Sequence, residues 1–313
     1  TYIIPEFVLI ILLELYLQLF GTVLIGFFLG RWLPSTVPNR LGQFLFWIGV
    51  PIGIVAFLRK TDLSGAIWIA PAVAYAAMLL GACFALVGIK WQSYFTHTVP
   101  SSPIQGSLIL SAMVGNTGFL GYPITLAVHG TQYFAWALFY DLLGSLFGAW
   151  GLGALIAARF GGSATNFWQS TKVILINPAL WSFGFGLLFR QVEIPPSAEF
   201  VFEKLAWGVV TLSLLLMGMR LSKLKSCQNL PQAAISITIK MLLVPLILGI
   251  TFRFLGFTGT SAKVILLQTA MPPAFSTLII AEIFNLDSDS AVTTVAAGTA
   301  MLLLTLPLWL WLF

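Results

Sequence analysis

The sequence VGNTGFLGYP, residues 114–123, decides the fold of this chain because it interrupts an apolar run from about Ile104 to Val128. A helix that crosses a membrane needs about 20 apolar residues in succession, and this run carries three glycines, an asparagine, a threonine and a proline at its middle. Pro123 has no N–H, and its ring clashes with the carbonyl four residues earlier, so a continuous helix is not expected there. In lipid, non-helical backbone is tolerated only where it is buried in protein or lines a cavity. The stretch therefore predicts a broken helix at mid-depth with a candidate binding site beside it.

A second interruption, QTAMPP at residues 268–273, lies in the apolar run from about Ala262 to Ile283. Interrupted segments at corresponding positions in the two halves of a membrane protein are the sequence pattern that points to a secondary transporter.

The composition excludes a soluble protein. Of the 313 residues, 59% are hydrophobic and 8% are charged, and the mean hydropathy is +0.98, whereas a soluble domain has about 25% charged residues. The net charge of +5 is scattered over short loops, which fits contact with a lipid bilayer and gives no reason to expect nucleic acid. The two cysteines and two histidines form no metal-binding pattern, and no cofactor is expected. The first apolar run lacks a basic leader, so it is interpreted as a permanent helix.

The apolar runs predict an all-α polytopic membrane protein with about ten spans, at residues 7–30, 41–58, 66–89, 105–128, 133–158, 172–189, 200–219, 232–252, 262–284 and 290–312. A polar linker, Arg159 to Asn166, divides them into two sets of five. We therefore expect two halves, residues 1–160 and 166–313, with breaks around 115–123 and 268–273. Because five is odd, the second half enters the membrane with the opposite orientation, which is the inverted-repeat plan.

The distribution of Lys and Arg predicts a multi-pass protein of the plasma or inner membrane with both termini outside. With that orientation, eight basic residues fall in cytoplasmic loops and six in external loops. The strongest contribution comes from the group Arg220, Lys223 and Lys225, which is assigned to a cytoplasmic loop. Glycine pairs at GxxxG spacing predict close helix packing, and they are Gly26/Gly30, Gly49/Gly53 and Gly144/Gly148.

Three pieces of the sequence together resemble the auxin efflux carrier family. They are GNTGFLGYP at 115–123, Asn177-Pro178 at the start of the second half, and MPPAFSTLIIAEIFNLD at 271–287 running on to TLPLWLWL at 305–312. The family includes bacterial malonate and malate carriers and the plant PIN-type auxin exporters. The plant proteins carry a long cytoplasmic loop between the halves, where this chain has a short linker, so the small prokaryotic-type carriers are the closer match. That departure puts auxin in doubt as the natural substrate.

The resemblance implies an architecture and a mechanism. It implies ten helices in two inverted five-helix repeats, arranged as a scaffold domain and a transport domain whose two broken helices cross near the membrane centre. This plan is shared with sodium–bile acid symporters and sodium–proton antiporters. It also suggests a homodimer formed through the scaffold.

The chemistry expected at the breaks is anion binding by backbone groups. The first N–H groups of a helix lack intrahelical partners, the helix dipole places about half a positive charge there, and a first-turn proline fits this position. Two such helix starts facing each other would bind a carboxylate, and along the sequence no basic residue lies near either break. The predicted substrate-binding residues, most strongly Asn116, are Asn116, Thr117, Gly118, Gly121, Pro123, Gln268, Pro272, Pro273 and Ser276.

Ionisable residues within spans are costly and are functional candidates by default. Asp141 and Lys240 lie near mid-depth of their predicted spans. Each is a candidate for ion coupling, or the two neutralise each other as a structural pair. Glu14 is a weaker candidate, and Glu282 is expected to reach the membrane interface.

The leading hypothesis is a secondary active carrier, not an enzyme, that moves small organic anions (auxin-like or dicarboxylate) by elevator-type alternating access. Protons, sodium or the membrane potential could drive it. The alternative is a sodium-coupled symporter of the bile acid type. Two more distant hypotheses are an intramembrane enzyme, for which the sequence shows no nucleophile–base pair, and a passive channel, for which it shows no selectivity filter.

Overall fold

A computed structural model describes residues 6–162, 167–223 and 230–312, and these residues form thirteen helices. The helices are α1 (Glu6–Trp32), α2 (Thr36–Leu58), α3 (Ile69–Thr96), α4 (Ser102–Met113), α5 (residues 117–129), α6 (Thr131–Gly161), α7 (Phe167–Ile176), α8 (Pro178–Phe189), α9 (Pro196–Lys223), α10 (Leu230–Phe254), α11 (Thr260–Thr269), α12 (Ser276–Ile283) and α13 (Ser288–Leu312). Among the described residues, the single β-type pairing joins Gly115 and Pro273, which lie between helices.

Six of the described helices are long and apolar enough to cross a membrane, namely α2, α3, α6, α9, α10 and α13. Helices α7 and α8 form a pair bent by 43°, which raises the number of such spans to seven at most. The bend occurs at Asn177, whose side-chain oxygen accepts a hydrogen bond of 3.0 Å from the N–H of Ala179 and so caps α8. The protein is thus an all-helical multi-pass membrane protein, whereas ten spans in two inverted halves remains a prediction.

Both interrupted runs form two short helices with a gap between them, and each gap overlaps its predicted break, 115–123 or 268–273, only in part. The run around residues 104–128 forms α4 and α5 with residues 114–116 between them, and the run around 262–283 forms α11 and α12 with residues 270–275 between them. The expectation that the helix is interrupted at Pro123 is wrong, because α5 continues from its π-helical turn through Pro123. Pro123 lies in the first turn of the α-helical part, a position that suits a residue without an N–H.

The helices pack in two groups. In the first, called the α9 group, α9 packs along α1 and α2, and α2 also packs against α8. In the second, called the crossing group, α3–α6 and α10–α13 pack against one another. Only weaker contacts, such as those between α5 and α9, join the two groups.

Glycines allow the closest helix approaches. A Cβ on Gly26 of α1 would lie 2.2 Å from the carbonyl oxygen of Leu215, and one on Gly218 of α9 would lie 1.9 Å from that of Val23. Gly144 and Gly148 of α6 pack against α3 in the same way, at 2.3 Å from Ala74 Cβ and 2.5 Å from Met78 Sδ. The packing role predicted for these GxxxG glycines is confirmed at both helix pairs.

We expect Gly218→Ala to lower the free energy of unfolding by about 1–3 kcal/mol, because the added methyl group meets the backbone of α1 and cannot be accommodated by a rotamer change. The measurement is the thermal unfolding midpoint of the purified protein in mild detergent. Gly208→Ala is the matched control in the same helix, since a Cβ there meets nothing within 4 Å. Equal midpoints for the two variants would show that α1 and α9 are not in backbone contact.

Candidate functional site

The two breaks hydrogen-bond to each other through their backbones. The N–H of Asn116 donates to the carbonyl of Pro272 at 2.7 Å, and the N–H of Ala274 donates to the carbonyl of Val114 at 3.0 Å. These bonds lie on either side of the antiparallel pairing of Gly115 with Pro273. The place where the two breaks meet is called the crossing below. Backbone groups that leave a helix within a membrane need partners from the protein, and here each break supplies partners for the other.

Three functional candidates lie in π-helical turns. These wide turns are frequent at functional sites, and they span Thr117–Gly121 in α5, Tyr140–Leu146 in α6 and Ile239–Leu243 in α10. They carry Thr117, Asp141 and Lys240 respectively, so both ionisable candidates lie in irregular turns close to the crossing.

Asp141 faces the start of α5. Its carboxylate accepts hydrogen bonds from the hydroxyl of Thr117 and from the hydroxyl of Tyr122, the latter at 2.6 Å. A Cβ on Gly118 would lie 3.4 Å from its Oδ2. The side chain is only partly buried because it lines a cavity.

Lys240 contacts both breaks from another direction. The residue is 2% exposed, its Nζ donates to the carbonyl of Thr269 at 2.5 Å, and a Cβ on Gly115 would lie 3.0 Å from Nζ. Thr269 is the last residue of α11, whose carbonyl carries part of the negative end of the helix dipole. The ammonium group therefore satisfies a carbonyl that the break leaves free.

Asp141 and Lys240 do not form an ion pair. In the part of the chain that the structure describes, the one side-chain ion pair within 4.0 Å joins Lys60 and Glu203. The alternative that Asp141 and Lys240 neutralise each other directly is therefore wrong, because each is held by neutral hydrogen-bonding groups.

A cavity of about 150 Å³ lies beside the crossing. The crossing group contributes polar and backbone groups to its wall, and the α9 group contributes side chains of α2 and the start of α8. Of the predicted site residues, Gly118, Asp141 and Ser276 line it. The sequence analysis did not predict as binding residues three further lining residues with hydroxyl or amide groups, Tyr122, Ser145 and Asn177.

The other predicted binding residues form the crossing itself. Asn116 is 4% exposed, and its side-chain amide contacts Met217 Sδ at 3.8 Å, while Thr117 donates to Asp141. Gln268 is 0% exposed and donates from Nε2 to the Thr125 hydroxyl at 3.0 Å. Pro272 and Pro273 are buried in the break, and Gly121 and Pro123 are buried at the start of α5. Their role in substrate binding stays a prediction.

No basic residue lies near either break along the sequence, but two lie near them in space. Lys240 contacts the break residue Gly115, and Arg220 lies over the rings of Phe119 and Phe275, which flank the two breaks. Arg220 was assigned to a loop, but α9 continues to Lys223, so Arg220 belongs to the membrane-spanning helix. The predicted loop residue Lys225 lies outside the described residues.

Sequence distance hid these contacts. Lys240 is about 125 residues from Gly115 along the chain, and Arg220 is about 100 residues from Phe119. No local pattern brings such residues together. The side chain of Glu282 is exposed, and its position at the membrane interface stays a prediction. The side chain of Glu14 lies outside the described part.

Comparison with known proteins identifies similar chains. A family model described as membrane transport protein matches residues 11–310, which include both breaks and the whole cavity wall. An uncharacterized transporter of Methanothermobacter thermautotrophicus is 26% identical over 274 residues, which cover 87% of each chain. An uncharacterized transporter of Methanocaldococcus jannaschii is 28% identical over 214 residues, which cover 66% of this chain and 68% of that one.

The packing of Gly121 against Gln268 gives a test of the crossing. A Cβ on Gly121 would lie 2.2 Å from Gln268 Oε1. The Gln268 side chain is fully buried and bonded to Thr125, so it has little room to move away, and Gly121→Ala should destabilise the protein by about 1–3 kcal/mol. In a Gln268→Ala background the same change should cost much less, because the clashing amide is gone. Thermal unfolding of the two single variants and the double variant measures this coupling. Additive effects would contradict the contact, and Gly151→Ala, where a Cβ meets nothing within 4 Å, is the control.

Proposed function

Because the chain belongs to the membrane transport protein family, the auxin efflux carrier family, we propose that it is a secondary active transporter of small organic anions. The observation that carries the proposal is the cavity of about 150 Å³ beside two broken helices whose backbones bond to each other. Discontinuous helices that meet in this way are the usual substrate sites of secondary transporters. A transporter needs no catalytic centre, and we propose none.

Two helix starts meet at the cavity and account for anion binding. Gly118 and Phe119, in the first turn of α5, line the wall, as does Ser276, the first residue of α12. First-turn N–H groups carry the positive end of the helix dipole. At α12 the N–H groups of Thr277 and Leu278 already donate to Ala274 and Phe275, which leaves the N–H of Ser276 for an anion, together with those of Gly118 and Phe119 at α5. The hydroxyl groups of Ser145 and Ser276 add donors, so a carboxylate can be held without a basic side chain on the wall. Asn116, Thr117, Gly121, Pro123, Gln268, Pro272 and Pro273 serve this site by holding the crossing in shape.

The size of the cavity favours a small substrate. Pockets for drug-sized ligands measure about 300–1,000 Å³, and this one is about 150 Å³. Short mono- or dicarboxylates of the malonate or malate kind fit this space better than an indole-containing acid such as auxin.

Asp141 supports coupling to protons. A carboxylate substrate in this cavity lies close to the Asp141 carboxylate, and two such groups cannot both be ionised at short distance without a large cost. A proton on Asp141 removes the repulsion, and the hydroxyls of Thr117 and Tyr122 still supply hydrogen-bond partners. We propose that anion and proton bind together.

Lys240 argues against the sodium-coupled alternative. In sodium-coupled carriers, carbonyl oxygens at the ends of broken helices coordinate the cation. Here the ammonium group of Lys240 donates to such a carbonyl, that of Thr269. Its positive charge supplies internally what a bound sodium ion would supply, so we propose transport that does not require sodium.

The position of the cavity supports an elevator mechanism. Its wall combines residues of the crossing group with Phe46 and Val50 of α2 and with Asn177, the residue before α8. Movement of the crossing group against the α9 group would carry a bound anion across the membrane. We propose the α9 group as the scaffold, both termini outside and, as the family suggests, a homodimer.

The first test is uptake of labelled malonate, malate and indole-3-acetate by proteoliposomes. Ser276→Ala should raise the KM for a transported dicarboxylate about two- to tenfold, since one hydrogen bond contributes about 0.5–1.5 kcal/mol. Ser182→Ala is the matched control: this buried hydroxyl bonds to the carbonyl of Ala179 and does not line the cavity. Equal KM values in both variants would move the substrate away from the crossing, and no flux of any of the three anions would contradict the proposed substrate class.

The second test concerns coupling. We expect an inwardly directed proton gradient to stimulate uptake by the native protein and a sodium gradient to have no effect. Asp141→Asn should abolish the response to protons while leaving the exchange of internal for external anion.

Asp62→Asn is the control. Asp62 lies in the loop between α2 and α3, and hydrogen bonds from the Ser64 hydroxyl and N–H hold its pKa below the ordinary value, so it stays ionised across pH 5.5–8. A proton response that survives in Asp141→Asn would exclude Asp141 as the coupling group.

A further inference from the structure

Arg220 joins the two helix groups at the crossing. It lies in the last turn of α9. Its guanidinium carbon is 5.5 Å from the ring centre of Phe119 in α5 and 5.2 Å from that of Phe275, the residue before α12. One arginine of the α9 group thus rests on aromatic rings beside both breaks, an arrangement that cation–π attraction stabilises.

No residue in the described part of the chain neutralises Arg220. It is absent from the ion pairs within 4.0 Å there, and it donates no hydrogen bond to a described residue. The side chain is partly buried. A guanidinium without a counter-ion in such surroundings has lost part of its hydration and gained only the attraction of the rings, so a small anion that reaches it is strongly favoured.

The guanidinium of Arg220 keeps hydrogen-bond donors for a ligand. It carries five N–H groups, and its contacts among the described residues are with aromatic rings, which take up no paired oxygen acceptor. The packing is close at one terminal nitrogen, which would lie 2.7 Å from a Cβ on Gly42 of α2. A larger residue at position 42 would therefore crowd the guanidinium.

Arg220 is adjacent to the cavity through both of its aromatic contacts. Phe119 itself lines the cavity, and Phe275 precedes Ser276, which also lines it. An anion held by Arg220 is therefore within a side chain's length of the first turns of α5 and α12.

We propose that Arg220 is an anion-capture site at the mouth of the cavity. Its guanidinium binds one carboxylate of a small organic anion through paired, charge-assisted hydrogen bonds and passes it to the helix starts at the crossing. The inference rests on the proposed function and names the residue that selects for negative charge. Arg220 belongs to the α9 group, whereas Phe119 and Phe275, whose rings it contacts, belong to the crossing group or lie beside it. Anion capture therefore occurs only when these two helix groups are aligned as they are here.

The test measures malonate binding and transport by the full chain and by Arg220→Gln, Arg220→Lys and Arg40→Gln. Binding is followed by the malonate-induced rise in the thermal unfolding midpoint in detergent and by titration calorimetry. Arg40→Gln is the matched control, because it removes the same charge from an exposed position two residues from Gly42. We expect Arg220→Gln to weaken binding about tenfold to hundredfold and Arg220→Lys to give an intermediate loss, since lysine keeps the charge but not the paired geometry. Arg40→Gln should remain within about twofold of the native protein, a change far below the tenfold effect of 1.4 kcal/mol.

Each outcome decides between the two proposals. Native affinity in Arg220→Gln, with native transport, overturns the capture site and leaves the transporter intact. If the native protein neither binds nor transports malonate, malate or another short carboxylate, the proposed function is contradicted, and the capture site is contradicted with it. Should Arg220→Gln not fold, Arg220→Lys decides, and native affinity in that variant overturns binding through paired hydrogen bonds. Equal losses of malonate affinity in Arg220→Gln and Arg40→Gln would show that the effect comes from the overall positive charge of the protein, which would also overturn the proposal.

Discussion

The structure depends on the requirement that backbone N–H and C=O groups be hydrogen-bonded inside a membrane. Two chain segments leave the helical conformation in the interior, and each satisfies the other: Asn116 donates to Pro272, and Ala274 donates to Val114. The carbonyl of Thr269 at the end of α11 accepts a hydrogen bond from Lys240. Because the two breaks meet, the helices that carry them are brought together, and the first residues of the helices that follow them, Gly118, Phe119 and Ser276, line one cavity.

Charge is distributed around this crossing in three places with three kinds of partner. Asp141 is held by the hydroxyls of Thr117 and Tyr122 and faces the cavity, Lys240 is buried against a carbonyl, and Arg220 lies on two aromatic rings. Nothing in this arrangement cancels one charge against another directly. A charged group without a counter-ion can gain one from a ligand, whereas the charges of a closed ion pair are already satisfied.

Much of the fold could be predicted from the sequence, and the reasons are local. Apolar length predicted where helices lie, and the glycines and prolines of 114–123 and 268–273 predicted where two of them stop. The binding wall was only partly predictable. Gly118, Ser276 and Asp141 were singled out because they lie in or near a break or within a span, whereas Ser145 and Asn177 reach the wall through the packing of distant helices. Arg220 was misassigned because charge near the end of an apolar run is typical of a loop, and only tertiary contacts with Phe119 and Phe275 distinguish it.

The bonds that join the two breaks have a consequence for how such a chain can change over time. Both are made by main-chain atoms, and of the four residues that supply those atoms the acceptors Val114 and Pro272 contribute only carbonyl oxygens. A main-chain carbonyl is present whatever the side chain, so most substitutions at these positions leave the join in place. The walls of the cavity, by contrast, are made largely of side chains. Single substitutions can therefore change the lining of the cavity while the hydrogen bonds between the two breaks persist.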